Sequence, residues 1–120
     1  MLYHVVALDV WLADPDRPYA PPSLAKGGSV HCAVNEEAVL AAANRFHRQA
    51  AGPLVALLID ETRLDAPVEW VVAKPESPSP KKPGTPIPCV RGPINRRAVV
   101  GLMDVARDDE GRALALVPRG

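Results

Sequence analysis

The sequence predicts an α+β domain with a largely β core of about six strands and one main helix. Three observations carry this. Short apolar runs recur along the chain and are punctuated by turn residues. Helical periodicity behind a clear capping residue occurs at one place, after Asn35. Fourteen prolines in 120 residues, against a usual ~5%, cluster between residues 15 and 22 and between 75 and 93 and break the chain into short pieces.

The length fits a single domain spanning 1–120. Hydrophobic residues reach 48% while aromatics stay at 4%, so the core must be built from Val, Leu and Ala. Acidic and basic residues balance at 14 each, which leaves no field to draw nucleic acid or anionic lipid. Met1 to His4 shows no basic segment followed by an apolar run, and the longest apolar run, Leu54 to Ile59, is too short to span a bilayer. The expectation is a soluble cytoplasmic protein with reduced thiols at Cys32 and Cys89, a small-molecule ligand, and no nucleic-acid or membrane partner. Oligomeric state is not legible.

Leu2 to Leu8 reads as a strand apolar on both faces, hence covered on both sides. Asp9 is placed to cap a helical turn, Val10 to Ala13, before the prolines. Ser29 to Ala33 reads as a second strand. Val30, Cys32 and Val34 lie on its core side; Ser29, His31 and Ala33 lie on a more polar side. Asn35 caps a helix from Glu36 to Arg48 whose stripe is Val39, Leu40, Ala43, Phe46 and His47. Leu54 to Ile59 reads as the central strand and Val68 to Val72 as the next. Residues 75–88 hold six prolines and read as a surface loop. Asn95 caps a brief turn through Ala98. Val99 to Val105 forms a strand with Gly101 at a bulge or close contact. Asp108 to Gly111 turns a hairpin into a last strand, Ala113 to Val117.

The chemistry-bearing residues gather around Gly27 to Val34. His31 lies on the polar side of its strand, after two glycines, and suits a hydrogen bond to a substrate hydroxyl or acid–base work. His4 sits among Leu2, Val6 and Leu8, where a satisfied core histidine competes with a catalytic one, and His47 borders the core face of the helix. Cys32 reads as a buried, inert thiol and Cys89 as a more open one. His4, His31 and Cys89 match no zinc spacing, so no metal is expected. Arg91, with Lys26, Arg45, Arg48, Lys81 and Lys82, supplies positive charge for a phosphate, although no phosphate-binding glycine fingerprint is present. Glu69 is the carboxylate placed inside a strand; a catalytic role for it needs His31 nearby.

One set of residues carries a resemblance: Leu2-Tyr3-His4, Tyr19, Ser23-Leu24, Gly28-x-x-His31-Cys32, Ala43-Asn44-Arg45-Phe46, Ile59-Asp60, Leu64-x-Ala66-Pro67-Val68-x-Trp70 and Gly92-Pro93-Ile94. In this order the chain resembles the small bacterial domain of unknown function nine-five-two, itself similar to the ADP-ribosyltransferase fold. The resemblance implies a split, mostly antiparallel core with NAD as substrate in its cleft. It also implies His4 at the nicotinamide ribose, with Tyr19, Ser23 and His31 lining the same cleft. With Arg91, Cys89 and Asn44 these make the ligand-binding set, and His31, His4 and Glu69 the catalytic set. The chain departs from the family where Ile87-Pro88-Cys89-Val90-Arg91-Gly92-Pro93 replaces the usual Phe-Pro-His-x-Tyr-Gly-Pro, and where Ala33 replaces a serine. The expected function is a nucleotide- or NAD-related ligand-binding protein, or an enzyme acting at a ribosyl C1 bond. A non-enzymatic binding module and a small enzyme of specialised metabolism with a repurposed His, Cys and Arg pocket are the alternatives.

Overall fold

A computed structural model describes the chain except for residues 22, 23, 25–27, 49, 50, 73–85, 119 and 120 and the side chains at 46 and 72. The described residues form seven strands and two helices: β1 (Leu2–Ala7), α1 (Leu8–Leu12), β2 (Val30–His31), α2 (Glu36–Phe46), β3 (Leu54–Ile59), β4 (Val68–Val72), β5 (Pro86–Val90), β6 (Val99–Arg107) and β7 (Ala113–Pro118). Short 3-10 turns occupy Glu61–Arg63 and Arg96–Ala98. The fold is α+β and its two sheets are antiparallel, a larger one ordered β1-β3-β6-β7 and a smaller one ordered β2-β5-β4.

The larger sheet is covered on both faces, as the two-sided apolar pattern of β1 requires. Val5, Leu54, Ala56, Val105 and Leu116 pack with Val39 and Ala43 of α2. From the opposite face Leu2, Val6, Val55, Leu57 and Ile59 pack with Val30, Cys32 and Val90 of the smaller sheet. β3 has the central place its unbroken apolar run predicts. The segment after β2 joins the two sheets. Cys32 N–H donates to the Pro88 carbonyl at 2.9 Å, and one residue later Ala33 and Tyr3 exchange two backbone bonds of 2.7 and 2.8 Å.

Local chemistry explains most boundaries. Asn35 Oδ1 accepts from Ala38 N–H and starts α2, which ends two residues short of the expected Arg48. At Gly101 a side chain would press on Leu58 Cδ1 at 3.2 Å, beside the register shift between Leu58 and Ile59. Gly111 has φ 84° in the hairpin turn, and a Cβ there would strike the Arg48 carbonyl.

Several expectations need correction. α1 begins at Leu8 with Ala7 at its N-cap, so Asp9 lies in the first turn and caps nothing. Val34 is exposed because the chain has already left the sheet there. Asn95 makes no cap bond; its amide instead holds the Arg63 carbonyl and the Asp65 N–H. The largest correction is β5. Residues 86–88, expected in a surface loop, begin the middle strand of the smaller sheet, while 75–85 lie outside the described residues. Since the Pro88 carbonyl faces β2, strand alternation turns Pro86 and Pro88 toward β2 and leaves Ile87 and Cys89 to face β4. β2 is two residues long and asks little of the missing N–H groups.

Candidate functional site

The register of the smaller sheet assembles the site. His31 of β2 pairs with Cys89 of β5, and Cys89 pairs with Glu69 of β4. Directly paired residues project from the same face, with Cβ atoms about 4.5–5.5 Å apart. His31, Cys89 and Glu69 therefore form one row across three strands. Arg91, two residues beyond Cys89, shares that face and places its Nε 3.8 Å from Glu69 Oε2. Ser29, two residues before His31, adjoins the row and acts on the Cys89 thiol, which itself donates to the Ile87 carbonyl at 3.8 Å. Glu69 and His31 stand two strand spacings apart, roughly 10 Å, with Cys89 between them.

The row has an exposed rim and a buried centre. His31, Glu69 and Arg91 are exposed, whereas Cys89 is 2% exposed, more closed than its sequence context implies. Burial raises the Cys89 thiol pKa and the Glu69 charge adds to this, while Arg91 and Ser29 act the other way. Burial lifts Cys32 to about 12. Both thiols are free, and Cys32 faces the core as expected.

Behind the row lies a second hydrogen-bonded pair. His4 Nδ1 is 2.8 Å from the His31 carbonyl, and its Nε2 is 3.0 Å from the Tyr19 hydroxyl. Desolvation lowers the His4 pKa to about 4, so the ring is neutral at pH 7. A carbonyl only accepts, so Nδ1 carries the proton and Nε2 accepts from Tyr19. Both ring nitrogens are committed within the protein. Tyr19 is buried, its ring 5.5 Å from His4 and 6.0 Å from Trp11. Burial raises its hydroxyl pKa. Arg96 stacks 4.0 Å over Trp11 and donates to the carbonyls of Trp11, Asp14 and Arg17, which fixes the loop that delivers Tyr19.

Of the sequence-derived residues, the structure brings together His31, Cys89, Glu69 and Arg91, with His4 and Tyr19 behind His31. Asn44 is elsewhere, on α2, where its amide bonds the backbone of Ala113. Ser23 and Lys26 lie outside the described residues. Ser29 belongs to the site and was not singled out, although its alternation with His31 carried the signal. Two open depressions lie away from the row. One, of about 420 Å³, is lined by Thr62–Asp65 and Arg97. The other, of about 550 Å³, is lined by Arg48, Pro53, Val105 and Arg107–Gly111. Among the described residues, no helix is long and apolar enough to cross a membrane.

Comparison with curated proteins gives no match. Among solved structures the fold is similar to that of protein CC0527 from Caulobacter crescentus, with a TM-score of 0.75 at 18% identity over 94% of this chain and 92% of that one. A double mutant of the same protein matches with a TM-score of 0.75 at 17% identity. The family model described as "Protein of unknown function (DUF952)" matches residues 6–102, a span that holds α2 and the whole row from His31 to Arg91. The chain belongs to the DUF952 family.

Proposed function

We propose that the outer face of the smaller sheet binds a small nucleotide-type ligand, NAD or an ADP-ribose-like metabolite. The observation that carries this reading is the His31–Cys89–Glu69 register with Arg91 at its end. Arg91 offers a planar fork for a phosphate and His31 a hydrogen bond to a ribose hydroxyl. The Arg91–Glu69 pair is exposed, and such pairs contribute about 0–1 kcal/mol, so a phosphate can draw Arg91 away and free the carboxylate. Glu69 then faces positive charge developing at ribose C1 as the C1–nicotinamide bond breaks and its electron pair leaves with nicotinamide. Water or another nucleophile closes the new bond at C1. The split two-sheet core supports the resemblance to the ADP-ribosyltransferase fold, whereas His4, expected at the ribose, has both ring nitrogens committed to His31 and Tyr19 and acts as a positioning residue behind the row.

Binding without turnover is the second reading. It is favoured by the pairing of Glu69 with Arg91, which balances the one carboxylate of the row. Thermal denaturation with NAD, ADP-ribose and nicotinamide at millimolar concentration tests both. A ligand at a hundredfold excess over its Kd adds about 2.7 kcal/mol of stability. Stabilisation with loss of NAD and release of nicotinamide supports the enzyme, and stabilisation with NAD intact supports the binding module. No shift with any of the three removes both.

A further inference from the structure

β7 is an outer strand of the larger sheet, and nothing in its side chains deters a partner strand. Ala113–Pro118 carries no charge, and Leu114 and Val117 are exposed. An open, uncharged edge of this kind pairs readily with a second copy of itself. Yet three of its backbone groups are occupied by side chains of α2. Asn44 Nδ2 donates to the Ala113 carbonyl at 3.2 Å, and Asn44 Oδ1 accepts from the Ala113 N–H at 2.6 Å. One side-chain amide thus supplies the donor and the acceptor that a neighbouring strand would bring. Three residues along, the Leu116 N–H donates to Glu36 Oε2 at 2.8 Å. Pro118 then ends the strand with no N–H to offer.

The spacing makes this a matched pair of contacts. Glu36 and Asn44 are eight residues apart on α2, about 12 Å at helical rise. Leu116 and Ala113 are three residues apart in the opposite direction, about 10 Å along a strand. Helix and strand run antiparallel with the two contacts in register.

We infer that Glu36 and Asn44 form a built-in block on self-association, filling the β7 edge that would otherwise pair antiparallel with β7 of a second copy. The two residues need not be buried to do this, only placed, and Glu36 is exposed. Light scattering after size exclusion, over a concentration series, tests the inference on the unaltered chain and on the Glu36→Ala/Asn44→Ala variant. The variant is expected to rise with concentration toward twice the mass of the unaltered chain. Adding Leu114→Lys, which puts a charge on the edge, is expected to return it to the original mass. A folded double variant with unchanged mass at every concentration overturns the inference, as does a gain in mass that Leu114→Lys does not reverse. If the double variant does not fold, Glu36→Ala alone is read by the same criteria, because it removes a single bond at an exposed residue.

Discussion

The two sheets share one interface and divide the work of the molecule. The larger sheet has strands of six to nine residues, is covered on both faces, and has fully buried Val55, Ala56, Leu57 and Ile59 at its centre. The smaller sheet has strands of two to five residues, carries two prolines in its middle strand, and covers one face. Its other face holds His31, Cys89, Glu69 and Arg91. The difference is that between a scaffold and a platform. Extended two-sided burial supplies stability, and one-sided burial leaves His31, Glu69 and Arg91 in contact with solvent around a buried Cys89 on a fixed backbone.

Substitutions should separate the two roles. Leu57→Ala, at a position with no exposure, should cost about 2–5 kcal/mol in chemical denaturation, because it leaves a cavity in the core between the two sheets. His4 links the sheets through the His31 carbonyl and should give a pH signature. Its pKa is about 4 in the fold against 6.5 when unfolded, so between those values the unfolded chain binds the extra proton. Stability is therefore fully present above pH 6.5 and falls as pH drops toward 4, by about 3 kcal/mol from this residue. His47, also lowered by burial, adds in the same direction. The difference between the unaltered chain and His4→Gln over this range isolates the His4 part; parallel curves would contradict its assignment as a neutral, half-buried ring. On the platform, Glu69→Gln and Arg91→Ala should each change stability by less than about 0.5 kcal/mol; by calorimetry Arg91→Ala should weaken ADP-ribose binding at least tenfold, and Glu69→Gln should not weaken it, because Glu69 competes with the phosphate for Arg91.

Legibility in the sequence followed the same division. β3 and β4 have the residue bounds that their apolar patterns predict, and α2 starts where Asn35 can cap it. These are local signals, written within a few residues of the structure they set. β5 was hidden because Pro86 and Pro88 oppose a strand locally, and only the shortness of β2 and the outlook of Pro88 make them tolerable. The site was half legible. Alternation put Ser29 and His31 on one side, but the alignment of His31 with Cys89 and Glu69 is a matter of register between distant segments. Asn44 entered the ligand-binding set through the family resemblance, and its partner, the Ala113 backbone, is 69 residues away. Cys89 looked open because proline and glycine surround it in sequence, whereas a central strand position buries it.

The platform can be located directly by following backbone amide resonances while ADP-ribose is added to the unaltered chain. Binding at the row predicts shifts concentrated at Ser29–His31, Glu69 and Ile87–Arg91, with little change in α2 and β7. Shifts centred on the depression at Thr62–Asp65 or on Arg107–Gly111, or none at saturating ligand, would contradict the assignment of the smaller sheet as the binding surface.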